Sequence, residues 1–186
     1  SHPPAAVGTL TGYGSQFPDW LASQDIDQNP LLSQLAYLDW GWLACLHGEN
    51  AQPLTGEAFQ QLIAQGNDAG ELPGISLIEN TRLINCTEEA SYFWLKLKEG
   101  TAAEGLRFNG SNQPQVVAFW RPELEVLVRP LPADEACYLE EILGCNNINE
   151  ASENVLKKQP EFNLPEQFSA LLQNGLLSIE EGFQNA

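Results

Sequence analysis

The sequence contains no methionine and only two histidines, His2 and His47, in 186 residues. So few imidazoles leave too little for the metal and acid–base sites that are usually built on histidine. Four cysteines, Cys45, Cys86, Cys137 and Cys145, stand 41, 51 and 8 residues apart. That spacing matches neither a CxxC redox pair nor a zinc-ligand set, so they read as reduced thiols, and no metal or cofactor is expected. Bases are scarce too. Eight Lys and Arg face 25 Asp and Glu for a net charge of −17, and residues 1–81 and 159–186 hold no Lys or Arg at all. Such a field repels polyanions, which makes nucleic acid a poor partner. No apolar run approaches the roughly 20 residues of a membrane span, so no membrane partner is expected and the expected compartment is the cytoplasm. Lacking an encoded start, the chain is expected to be a processed or excised piece of something longer.

What is present is a sizeable apolar fraction, 43%, with only 18% charged residues, enough for one compact domain or two small ones. The first third reads as helical. Residues 13–21 are a turn running into a short helix with Pro18 in its first turn. Asn29-Pro30 then caps a helix whose Leu31, Leu35, Leu38, Trp42 and Cys45 recur at helical spacing until Gly48. A third helix runs from a Thr55 cap to Gly66. The period then changes to two: Ile75–Ile78, Arg82–Ile84 and Ser91–Lys98 are strand candidates, and Val116–Arg121 with Glu125–Arg129 form a hairpin. Three short helices follow, at 132–143, 148–158 and 165–173. The expected fold is α+β, with helices packed on a small, mostly antiparallel sheet. A helical segment over 1–70 precedes an α+β domain over 71–186 that carries the hairpin at 115–129 and the C-terminal helices.

Candidate sites are few. Cys45 and His47 are two apart on a helix and point to different sides, which argues against a nucleophile and base pair. Asp39 lies inside an apolar helix, as a perturbed carboxylate or a solvent-facing one. Its neighbour Trp40 is off the apolar stripe, either buried on a second face or left for a partner. Arg121 and Arg129 bracket the hairpin turn and suit a carboxylate ligand or an acidic partner strand, or else pair internally with Glu123 or Glu125. Lys96, Lys98, Arg121 and Arg129 gather on expected strands of an otherwise acidic chain. An acidic peptide adding to an open sheet edge would meet them there.

Several short motifs carry a family likeness: His2-Pro3-Pro4, Tyr13-Gly14 with Phe17-Pro18 and Leu21, Leu35-Ala36 with Leu38-Asp39-Trp40, Phe119-Trp120-Arg121 and Asn174-Gly175-Leu176-Leu177. Together they resemble the HvfC/BufC family, long filed under a DNA-binding domain label. The resemblance implies that 1–70 is the end of a larger helical N-terminal domain, most of which precedes Ser1. It also implies an accessory subunit similar to the one in methanobactin biosynthesis. Such a subunit is a non-catalytic adaptor that binds a Cys-rich small precursor peptide and a TIM-barrel, multinuclear iron oxidase. On that reading Lys96, Lys98, Arg121 and Arg129 are the peptide contacts, and Asp39 and Trp40 the partner contacts. The alternative is a transcriptional regulator that reaches DNA only through the missing N-terminal domain.

Overall fold

A computed structural model describes residues 14–24, 30–69, 74–107 and 110–179. The motif residues His2-Pro3-Pro4 and Tyr13 and the Asn29 cap lie outside them. In chain order the elements are α1 (Phe17–Ser23), α2 (Leu31–Leu46), α3 (Gly56–Ala69), β1 (Ile75–Leu77), β2 (Arg82–Thr87) and α4 (Glu88–Lys98), followed by β3 (Pro114–Trp120), β4 (Leu127–Leu131), α5 (Ala133–Cys145), α6 (Ile148–Lys158), α7 (Leu164–Gln173) and β5 (Leu177–Ile179). The fold is α+β, with antiparallel sheets of two and three strands, a β3–β4 hairpin and three helices after it. The chain divides into two compact units. One holds residues 1–48, 82–119 and 128–131, the other 49–81, 120–127 and 132–186, so each draws on both sides of residue 70.

In the first unit the sheet runs β2-β3-β4, with Ile84 opposite Val117 and Arg82 opposite Phe119. Val117, Ala118 and Phe119 are all buried, so β3 is covered on both faces rather than alternating. Helix α2 packs on β2 and also meets α1 and α4. Gly41 lets it come close, since a Cβ there would lie 2.7 Å from Ile84 Cγ1 and 3.3 Å from Phe119 Cε2. Being covered on several sides is why α2 buries Leu31, Leu38 and Cys45 while Trp40 and Trp42 are half-buried.

The second unit pairs β1 with β5, Ile75 opposite Ile179 and Leu77 opposite Leu177. Both packed against β1 are α5 and α6, joined through Tyr138, whose hydroxyl meets Ser152 Oγ at 2.9 Å. Two turns set the chain's return. Asn146 takes a left-handed conformation, φ 51°, ending α5 through its N–H to Ile142 O, and Asn147 then caps α6. Gly175, φ 67°, ends α7 with the Leu176 N–H bonded to Leu171 O at 3.0 Å. The sequence places the first stop at Gly144; the helix instead runs through it because Asn146 supplies the left-handed residue.

One element differs in kind. Ser91–Lys98, expected as a strand, lies within helix α4. Thr87 caps it by accepting the Ala90 N–H, Glu88 and Glu89 fill its first turn and Lys96 and Lys98 its last, as the helix dipole favours. Its buried residues Ala90, Phe93 and Trp94 sit at i, i+3 and i+4, a helical spacing that coincides with alternation over part of the run. Lys96 and Lys98 therefore stand on a helix, not on a strand. Among the described residues, no helix is long and apolar enough to cross a membrane.

Candidate functional site

Of the residues the sequence points to, Lys98 and Asp39 come together, at the pairing of α2 with α4. Parallel placement follows from two contacts: Gln34 Oε1 accepts the Thr87 N–H at 2.7 Å, and further along Asp39 Oδ1 meets Lys98 Nζ at 2.8 Å. The Lys98 ammonium also lies 4.4 Å from the Trp42 ring centroid and 5.1 Å from that of Trp94, within cation–π range of both. Trp94 is held edge-on to Phe119, centroids 5.3 Å apart, so this floor is anchored in the core. Lys98 is thus a half-exposed cation with a carboxylate on one side and indoles beneath. Lys96 is held by Glu99 at 2.6 Å, and that carboxylate raises its pKa. Asp39 is engaged by Lys98, and Trp40 is half-buried, its indole N–H covered and without an acceptor among the described residues.

Arg121 belongs elsewhere. It is 5% exposed and sits in the second unit, where Nη1 donates to Asn50 Oδ1 at 2.9 Å and to Glu123 O at 3.3 Å, and Nη2 to Glu49 O at 3.3 Å. Buried Asn80 clasps the same residue's main chain, accepting the Arg121 N–H at 3.0 Å and donating to Arg121 O at 2.9 Å. At Glu123 the guanidinium meets the main-chain carbonyl. This guanidinium ties the 49–50 loop to the hairpin loop and is not presented to a peptide.

Arg129 lies on β4, which strand order leaves at one edge of the sheet. That edge is short and contains Pro130, which has no N–H to offer an added strand. Strand addition therefore finds little ladder on β4, and side-chain capture at Lys98 is the better-supplied contact.

The remaining chemistry is quiet. Cys45 is fully buried and His47 exposed, so they do not form a pair. Burial pushes the Cys86 thiol up to about 11. Lost hydration, then Glu150 and Glu141, push Cys145 up as well. Both are protonated at neutral pH and poor nucleophiles. Among the described residues, no group of three His, Cys, Asp or Glu is placed to hold a metal ion. An open cleft of about 500 Å3 beside the start of α7 is lined by Asp134, Glu161, Phe162, Asn163 and Glu166, where Asn163 caps the helix by accepting the Glu166 N–H.

Trp42 and Trp94 were not among the sequence-selected residues. Their signal is present: Asp39 and Trp42 are three apart, and Trp94 and Lys98 four apart, each pair sharing a helix face. The second pair is visible only once 91–98 is read as helix. No family model, curated protein or solved structure matches the chain.

Proposed function

We propose that this chain is a non-catalytic, cytoplasmic adaptor that captures a small Cys-rich precursor peptide through the peptide's acidic residues and brings it to a TIM-barrel iron oxidase. The resemblance to the HvfC/BufC family supplies the partner classes. The observation that carries the reading is Lys98, a cation set on Trp42 and Trp94 with Asp39 already seated on it, which displays how an incoming carboxylate would bind. Exposed ion pairs are worth only about 0.2–1 kcal/mol, so a peptide carboxylate with further contacts exchanges with Asp39 at small cost.

The test is a titration of labelled acidic peptide into the chain, with co-elution of the oxidase as a second readout. Lys98→Glu and Arg129→Glu should each weaken capture. Asp39→Asn, which removes the internal competitor, should strengthen it by up to about fivefold. Capture that is unchanged by all three substitutions refutes the site, and an oxidase that never co-elutes refutes the adaptor.

A further inference from the structure

Lys98 occupies a cation site whose walls come from other residues. Its Nζ lies over the Trp42 ring at 4.4 Å and over the Trp94 ring at 5.1 Å, with Asp39 Oδ1 at 2.8 Å. Asp39 and Trp42 are three apart on α2, and Trp94 is packed edge-on against Phe119, so helix and core set the walls. The site is open on one side, since the Lys98 and Asp39 side chains remain 41% and 51% exposed. One wall is present for its face. Trp94 is only 4% exposed, and its indole N–H is covered and has no acceptor among the described residues, which is destabilising. Phenylalanine would leave no orphaned donor there, but its ring attracts a cation less than indole does.

The cation now held is poorly matched to these walls. A lysine ammonium is a compact, strongly hydrated charge that favours water and Asp39 over ring faces, and a half-exposed ion pair holds it weakly. A quaternary ammonium spreads its charge over methyl groups and has no N–H to hydrate. Being nearly spherical, it can touch two indole faces and a carboxylate at once. A guanidinium is flat and stacks on one ring. A second lysine ammonium offers nothing that Lys98, tethered at high effective concentration, does not already supply.

We propose that Asp39, Trp42 and Trp94 form a cage for a quaternary ammonium group, borne by a trimethylated lysine or by a free trimethylammonium compound, and that Lys98 fills the cage until this ligand displaces it. The cage goes beyond the adaptor reading and does not rest on it: there an anion displaces Asp39 from Lys98, whereas here a cation displaces Lys98 from Asp39.

The experiment is isothermal titration calorimetry of the full chain with choline and with a short capped peptide whose one charge is a trimethyllysine. Lys98→Ala empties the cage and should bind the ligand about tenfold tighter than wild type, because an ion pair and two cation–π contacts no longer compete. Lys157→Ala, in the second unit, makes the same change in net charge and should bind as wild type does. Added to Lys98→Ala, Asp39→Asn and Trp42→Leu should each lower affinity about fivefold with unchanged far-UV circular dichroism. Binding of the peptide alone places the ammonium on a partner protein, and binding of choline as tightly as the peptide places it on a free compound; either result supports the cage. Equal affinity in wild type and Lys98→Ala overturns it, and so does binding that survives Asp39→Asn and Trp42→Leu. So does an unmethylated-lysine or arginine version of the peptide that binds Lys98→Ala as tightly as the trimethyllysine one, and so does the absence of binding by both probes. Lys98→Ala also separates the two readings, since it should weaken acidic-peptide capture and strengthen choline binding: failure of the first alone refutes the capture site, and failure of the second alone refutes the cage.

Discussion

Replacing Arg121 separates a structural bracket from a ligand residue. In Arg121→Ala, at least three N–H donations from a buried cation disappear, among them those to Asn50 Oδ1, Glu123 O and Glu49 O, while the Asn80 clasp on the main chain remains. Hydrogen bonds to charged groups contribute about 1.5–3 kcal/mol each, net of the water they replace. Glu49 O keeps the Asn80 amide as a second donor at 3.1 Å, and the loop acceptors regain water, so the losses do not add in full. With the charge itself removed and only neutral acceptors left behind, the expected net cost is about 3–5 kcal/mol, a large share of the roughly 5–15 kcal/mol that holds a domain of this size. Arg121→Lys keeps the charge but loses the fork and should fall between, at about 1–3 kcal/mol.

Urea unfolding followed by tryptophan fluorescence and far-UV circular dichroism gives these values directly. A thermal scan of the alanine variant should show the midpoint lower by roughly 10 °C. Under native conditions, the fraction of Arg121→Lys that remains folded should capture acidic peptide as the wild type does. The bracket role is refuted if Arg121→Ala stays within about 1 kcal/mol of wild type while peptide capture is lost. That outcome would put the guanidinium in the binding site.

Most of the fold was legible because its signals are local. Thr55 accepts the Ala58 N–H at 3.1 Å and opens α3 as the cap pattern implies, and the ranges of α5, α6 and α7 follow their own stops within a few residues. Strand β5 was not legible. It is three residues long, and its place depends on pairing with β1 and on the Leu54 N–H bonding Leu177 O at 2.7 Å, contacts about a hundred residues apart in the sequence or more. The same limit hides the Arg121 bracket, whose partners Asn50 and Asn80 lie 71 and 41 residues away. For α4 the local signal was present but ambiguous: eight residues of Ser91–Lys98 satisfy both periods, and the Thr87 cap with acids first and bases last decides for the helix. Because that choice of period moves Lys98 from a sheet edge to the side of α2, the candidate site could be named in part from its residues but not assembled. Lys98 and Asp39 carry separate expected roles in the sequence, and only the helix brings them to one ion pair.

Gly41→Ala should destabilise the first unit by about 1 kcal/mol, because overpacking against Ile84 and Phe119 costs about 1–3 kcal/mol and the better helix propensity of alanine returns about 1. Adding Ile84→Val to it should cost less than the two single changes summed, as urea titrations of the double-mutant cycle will show. Native-state alkylation read by mass spectrometry should find Cys86 roughly a hundredfold slower than an unperturbed thiol near pH 8, since a pKa of about 11 against 9.0 leaves that much less thiolate. The Lys158 ammonium holds the Glu141 carboxyl below its usual range, and the carboxylate raises Lys158 in turn. A carboxyl lowered in the folded state contributes stability that is fully present above its unfolded pKa and is lost as pH falls through the folded one. Bulk acidity works the other way, because protonating other carboxylates relieves the −17 charge, so the quantity to follow is the difference in melting midpoint between wild type and Glu141→Gln. That difference should be constant between neutral pH and about 5 and shrink towards zero below the depressed carboxyl pKa. A difference that persists at pH 2, where the carboxyl is protonated, would mean that Glu141 acts through packing and not through its charge on Lys158.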